Sequence, residues 1–409
     1  MKTILIVGKN FTGLKEQILE SGNEYILLQD RLATKFPDKK FKRRVVTDFS
    51  NETALLAAVD AITKKIDGVM TIYENYVYAT AVIAEHLGLP GMPLASAKAC
   101  TDKYEMRTLF AKAPKKISPG FAEVRSLEDV VAFAEHHEFP IILKPANLAK
   151  SLLVFKNNNL EELKDNYAKM LNSIDTIYKK YAPLSTPRIV IEEFMVGPIH
   201  SVDAFVDKDG TPHVLNEIVD YQTGYDIGYD DNFHYSRILP SKLTPEEIAH
   251  VKEAAVMGCR ALNMKSSAAH IEIIRTKDGP MIVEIGARNG GYRERMHRLA
   301  NGINTVENAM NLALDLPIDI TASKNDSCAV LELFPKHKGS YEGLHNEDSL
   351  HSLASLHYFA HKQKLGSIVG KSSDGYKMCA VIILHNADAE QFEKDLTYIT
   401  DNVYVVTRR

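Results

Sequence analysis

Tryptophan is absent from this 409-residue chain, and cysteine is scarce, with only Cys100, Cys259, Cys328 and Cys379. Their wide separation gives no Cys-x-x-Cys pair and no zinc-like spacing. That argues against a disulfide framework or a structural metal cage, and for a reducing, cytoplasmic setting. Long hydrophobic runs are missing as well. The opening run from Thr3 to Val7 is cut off by Lys9, too early for a signal-peptide core, and nothing approaches the ~18 apolar residues of a membrane span. Neither sign of charge dominates, since 49 Lys and Arg against 53 Asp and Glu leave a net charge of −4. Without a bulk basic field, neither nucleic acid nor a membrane surface is an expected partner, and any phosphate must be bound by local groups. A charged fraction of 25% with 22 Gly and 16 Pro excludes collagenous, coiled-coil and disordered chains. The 45% hydrophobic content supports more than one core.

The first stretch alternates short apolar runs with helical patterns: ILIVG at 4–8, YILL at 25–28, RVV at 44–46 and DGVMTI at 67–72. This is the grammar of a parallel α/β sheet, with functional groups expected in loops at the carboxyl ends of its strands, where Glu74 sits. GKNFTG at 8–13 lacks both phosphate-loop spacings and reads as a plain strand-to-helix turn. From Ser118 the pattern becomes a small α+β unit, and YAPLSTPR at 181–188 reads as a hinge into a larger antiparallel region beginning with RIVIEEF. We therefore divide the chain into an N-terminal α/β domain (1–114), a small lid (115–187), a catalytic domain (188–320) and a C-terminal α/β extension of it (321–409). The stretch from Tyr221 to Arg237 has no period and reads as a long loop, acidic and aromatic through Tyr225, Asp226, Tyr229, Asp230, Asp231 and His234. It suits an amine-bearing partner or, alternatively, is a solvated surface loop.

Chemistry concentrates on two adjacent strands, AAHIEIIRT and PMIVEIGA. His270 and Glu272 project from one face of the first, and Glu284 lies twelve residues beyond Glu272, across a short turn. Paired antiparallel, the two carboxylates converge and suit Mg²⁺ bridging nucleotide phosphates; exposed strand carboxylates are the alternative. In an empty site such acids repel, so Glu284→Gln should leave stability unchanged or raise it. Gly286, Ala287, Arg288, Asn289, Gly290 and Gly291 follow, placing a guanidinium beside backbone that can approach a ligand closely. Lys144 ends the strand PIILK and Lys103 opens a helix after Asp102; each is either a point charge for phosphate oxygens or a solvated surface group. Glu192 and Glu193 end a strand ahead of Phe194, Met195 and Gly197, a place where free backbone can read an adenine edge, or simply an edge strand meeting a turn.

Taken in order, DGVMTIYEN, AEHLGLPG, TDKYEMRTLF, IILKPANLAKSLLV, IVIEEFMVGPIHSVDAF and AAHIEIIRTKDGPMIVEIGARNGG resemble the ATP-grasp superfamily of ATP-dependent carboxylate ligases over about residues 1–320. LPSKLTPEE and the last of these strings look most like its amino-acid, dipeptide-forming branch. The resemblance implies an α/β and α+β architecture: an N-terminal parallel-sheet domain, a small central lid and a larger antiparallel-sheet domain. It implies ATP on Lys103 and Lys144, adenine on Glu192, Glu193 and the backbone near Met195, Mg²⁺ on Glu272 and Glu284, and the transferred phosphoryl group on Arg288. His270 would act on substrate or be a satisfied strand histidine. Small-molecule carboxylate and amine substrates follow, and a homodimer is compatible with the resemblance. Two departures stand out. The flap ANLAKSL at 146–152 has no glycine, leaving Asn147, Lys150 and Ser151 to close it, and Gly286 stands where many members carry a third, asparagine ligand, with Asn289 nearby. The alternatives are a purine-synthesis or carboxylase-type ligase and a non-catalytic ATP-binding regulatory protein.

Overall fold

The computed structural model describes residues 1–9, 13–31, 43–148, 152–182 and 185–408, and among these the strands form four sheets. In the first, Thr3–Val7 lies between Glu24–Asp30 and Gly68–Met70, with Arg44–Thr47 at one edge, all parallel. Ile4, Leu5, Ile6 and Val7 are fully buried, as a strand covered on both faces must be. Leu55, Val59 and Ile83 from helices Glu52–Asp60 and Val77–His86 pack on one face. Ile18 from Leu14–Glu20 packs on the other, together with Val306 and Met310 from Thr305–Ala313. A late segment of the chain thus returns to the first sheet, and two units share a core. The turn at Gly8 serves packing: φ is +103°, and a Cβ there would come within 2.0 Å of the Tyr76 ring.

The small sheet is antiparallel, in the order Phe121–Val124, Ile189–Glu193, Ile141–Pro145, Phe155–Asn157. This corrects the expected placement of RIVIEEF. That strand does not open the larger region but fills the middle of the lid, where Val190 and Ile191 are fully buried. Helix Leu160–Tyr181 covers the sheet through Leu163, Tyr167, Met170, Ile174 and Tyr178, the three-to-four-residue spacing of one helical face.

The large sheet runs Gly279–Gly286, Ser267–Thr276, Ile199–Val206, Val219–Thr223, His234–Leu239, Ser327–Leu333, Ala380–Asn386, Leu356–His361, with Pro212–Val214 on the side of Ile199–Val206. Strand alternation separates its two faces. Val202, Ala204, Ile271, Ile273 and Ile285 meet helix Pro245–Ala261, which comes so close that a Cβ on Gly258 would lie 2.5 Å from Ile282 Cδ1. Ser201, Asp203, His270 and Glu272 therefore share the opposite face. The stretch 221–237 is also not the loop expected. Val219–Thr223 and His234–Leu239 pair as an antiparallel ladder around a short 3₁₀ turn at Tyr225–Ile227, because Phe233 and Tyr235 bury against the C-terminal core. The last segment adds three strands to the large sheet and a separate three-stranded sheet beneath helix Ala389–Asn402. No helix among the described residues is long and apolar enough to cross a membrane.

Ile271 lies in the middle of this architecture, fully buried between sheet and helix. Ile271→Ala is expected to lose about 2–5 kcal/mol of stability, read as a lowered midpoint in denaturant unfolding. An unchanged midpoint would contradict the placement of the core.

Candidate active site

Glu272 and Glu284 are direct cross-strand partners on the hairpin, so their carboxylates rise from the same face. Repulsion between them is relieved by cations from elsewhere in the fold. Lys103 begins helix Lys103–Phe110, whose cap is the Asp102 side chain. Its Nζ sits 2.9 Å from Glu284 Oε2 and donates to Leu148 O at 3.2 Å. Burial would raise Glu284, but Lys103 outweighs it and holds the carboxyl below its usual range. For Lys103, burial works against the charge and Glu284 more than restores it, so the ammonium is stabilised.

Glu272 is likewise held below the usual range, burial being overcome first by the His270 imidazole, whose Nε2 lies 3.6 Å away. His270 is itself buried, and its Nδ1 is 2.8 Å from Asp203 Oδ1; burial disfavours its charge, but Asp203 raises it overall. Asp203 also meets His297 Nε2 at 3.2 Å and Arg293 Nε at 3.6 Å. Gly290 packs on the His270 ring, where a Cβ would lie 2.4 Å from Nδ1. The structure thus places His270 as a fixed, enclosed partner of Glu272.

One turn along the helix from Lys103, Arg107 is fully buried. It donates from Nε to Glu192 Oε1 at 3.0 Å and from Nη2 to Val283 O at 2.8 Å. Lys144 Nζ meets the other Glu192 oxygen at 2.6 Å. Burial pushes Glu192 up, but Arg107 and Lys144 bring it down to about 2. Both oxygens of the Glu192 carboxylate thus hold cations. Burial lowers the Lys144 ammonium to about 8, with Arg107 and Lys103 adding to the effect and Glu192 opposing it. Glu193 is more open, accepting from Gly120 N at 2.7 Å with Lys116 at 3.6 Å, and Met195 beside it is half-buried. Asn147 is tied to Tyr178 and donates to Thr186 O, so it is committed away from the flap. Ser151 and Lys150 lie outside the described residues.

Arg288 reaches back to the first sheet, with Nε 3.0 Å from Glu74 Oε2. Glu74 follows the strand Gly68–Met70, and burial raises its pKa against the pull of Arg288. The close fit explains Gly286: a Cβ there would come within 2.8 Å of Glu74 Oε2. Arg107, Asp203, Arg293 and His297 are site residues that the sequence analysis does not single out, and Glu74 is one it places without a role. Glu74 was marked by its strand-end position, and Asp203 by its alternation with Val202 and Ala204. The acids of the 221–237 stretch are otherwise engaged: Asp230 holds Lys371 at 2.9 Å and Asp231 accepts from Ser372 N at 2.7 Å.

No group of three or more potential metal ligands is assembled among the described residues. Two opposed carboxylates nevertheless fit Mg²⁺, which is held by one or two carboxylates plus substrate phosphates more often than by an all-protein cage. Beside them, Lys103 and Lys144 supply positive charge for phosphate oxygens. Such a set of groups suits a metal–polyphosphate, and it stands where the small sheet faces the large one.

An ATP-grasp domain matches residues 137–295, and an ATP-grasp N-terminal domain matches residues 22–91. The chain belongs to the ATP-grasp superfamily. It is 28% identical to the alanine–anticapsin ligase of Bacillus subtilis (strain 168) over 235 residues, 55% of this chain and 49% of that protein. It spans about half the length of the first curated relatives it matches. Among solved structures, the L-amino acid ligase from Bacillus licheniformis superposes with a TM-score of 0.80 at 20% identity, covering 100% of this chain and 99% of that one. Phosphoribosylglycinamide synthetase from Anaerococcus prevotii gives 0.71 at 18%, covering 100% of both chains. These likenesses bear out the three-part fold.

Two expectations follow. Since Glu284 neutralises Lys103, Glu284→Gln would strand a largely buried ammonium. Contrary to the expectation drawn from two facing acids alone, metal-free protein should then lose about 1–3 kcal/mol, seen as earlier unfolding; unchanged or raised stability would contradict the pairing. Polyphosphate favours protonated Lys144, so affinity for Mg-ADP should be highest below pH 8. It should then weaken by up to about tenfold per pH unit above that. Calorimetry on wild type and Lys144→Met checks this, since the variant should lose the dependence, and a flat wild-type profile would contradict it.

Proposed function

We propose that the protein is an ATP-dependent carboxylate–amine ligase of the amino-acid ligase branch, releasing ADP and phosphate. The observation that carries the reading is the convergence of Glu272, Glu284, Lys103 and Arg288 beside Lys144. The matched family domains and the similarity to an alanine–anticapsin ligase support the choice of branch.

In this reading a substrate carboxylate oxygen attacks the γ-phosphorus, and the bond to the β,γ-bridging oxygen breaks. An acyl phosphate forms and ADP leaves. An amine then adds to the acyl carbon, phosphate departs with the bonding pair, and the amine gives up a proton to complete the amide. Lys103 and Lys144 neutralise phosphate oxygens, and Arg288 steadies the phosphoryl group in transfer and the acyl phosphate after it. Bound Mg²⁺ would offset charge on the polyphosphate, with Glu272 and Glu284 holding it and His270 fixing Glu272. The backbone beyond Glu193, near Met195, takes the adenine edge. Glu74, paired with Arg288, accepts hydrogen bonds from the amine. Catalysis is then positioning and charge stabilisation, with no protein nucleophile.

The test is phosphate release over a panel of carboxylate and amine pairs. Full release is expected only with both substrates, and with ADP as the stoichiometric nucleotide product. Glu284→Gln should cut turnover at least a hundredfold, about 2.7 kcal/mol of transition-state stabilisation. AMP as product, or binding of Mg-ATP with no release from any pair, would contradict the reading.

A further inference from the structure

Beside Arg288, the first sheet, the turn after Glu284 and helix Thr305–Ala313 line a partly open cavity of about 50 Å³, room for a few water-sized groups. Asn289 lies in its wall. Neither Oδ1 nor Nδ2 of this side chain has a partner in the protein, and as the wall stands neither is open to a water-sized group, so an occupant reaches them only as the side chain turns. A buried amide left in that state is costly, and native proteins rarely keep one without something to meet it.

The other polar walls define what would meet it. Thr71 commits its hydroxyl proton to Val7 O at 2.9 Å, Thr80 to Tyr76 O at 2.8 Å and Ser267 to Ala268 O at 2.9 Å. All three therefore turn lone pairs toward the space. Arg288 is the one charged residue in the lining, and no carboxylate stands there to balance a cation. Apart from Ser266 the remaining wall is apolar: Val69, Met70, Val77 and Met92 line it with Ala309, and Gly91 is held small because a Cβ would come within 2.5 Å of Ala84 Cβ. The complement is a short, neutral group that both donates and accepts hydrogen bonds.

Resting on the ligase reading above, we propose that this cavity receives the side chain of the amino acid whose carboxylate meets Arg288. Its preferred substrates are then of the serine and asparagine class, and Asn289 is a specificity-determining residue. Aromatic, long aliphatic and charged side chains are excluded by size or by the lack of a counter-charge.

Calorimetry on the full chain tests this, titrating single amino acids in the presence of Mg²⁺ and a non-hydrolysable ATP analogue. Serine or asparagine should bind at least tenfold more tightly than alanine, and phenylalanine and lysine more weakly still. Asn289→Ala should bring serine and alanine within about threefold of each other. Ala309→Leu, which fills the space, should weaken serine tenfold or more while glycine stays within threefold; Ala309→Val repeats the test with less intrusion. Equal affinities for serine and alanine in wild type, or a preference untouched by these variants, would overturn the proposal and leave a cavity holding water alone. If no amino acid binds but other carboxylates still elicit phosphate release, only this pocket falls. If no pair elicits release at all, the ligase reading falls with it.

Discussion

Charge pairing across structural units is the constraint on which this molecule depends. Three acids and four cations are gathered where burial makes any unpaired charge expensive, and all but one of the pairs join different parts of the fold. Lys103, on a helix, meets Glu284 on the large-sheet hairpin. Arg107, on the same helix, joins Glu192 of the small sheet to the Val283 carbonyl of that hairpin. Lys144 meets Glu192 within the small sheet. Arg288, after the hairpin, meets Glu74 at the end of a strand in the first sheet. Removing any member leaves its partner exposed to the same burial penalty, so the ion pairs fasten the three sheets together as well as setting the charge of the site.

That arrangement prepares the site for a ligand. Each lysine is held by an acid that a metal–polyphosphate is able to compete for. Lys103 rests on one of the two carboxylates suited to Mg²⁺, so arrival of metal and phosphate would exchange one ion pair for two. Lys144 is different: burial and neighbouring cations bring its pKa to about 8, so its charge fades above that pH unless an anion stabilises it. His270, locked between Asp203 and Glu272, keeps Glu272 in place, and in the proposed reading Glu284 changes partners.

Much of this was legible in the sequence. Period-two alternation and the short turn at Lys277 to Pro280 sufficed to set Glu272 opposite Glu284, and short apolar runs between helical patterns sufficed for the parallel sheet. Strand order in an antiparallel sheet is another matter. Nothing in IVIEE distinguishes the middle of the small sheet from the start of the large one, because both bury the same residue types. The stretch 221–237 failed for a related reason: its aromatic residues pack on a C-terminal core that lies far along the chain. The pairing of Glu192 with Arg107 and Lys144 is not legible in the sequence because those cations are remote along the chain. Arg107 was nevertheless signalled by its place beside Met106 and Phe110 on the buried face of its helix.

In the proposed reading, the cation now on Glu284 stands in for a metal and gives way to it. The most direct measurement is a crystal structure of the full chain with Mg²⁺ and a non-hydrolysable ATP analogue. The account predicts that Lys103 Nζ has left Glu284 for a phosphate oxygen, and that Glu272 and Glu284 each place an oxygen about 2.1 Å from Mg²⁺. A bound nucleotide with Lys103 still paired to Glu284, and the metal held by other groups, would contradict it.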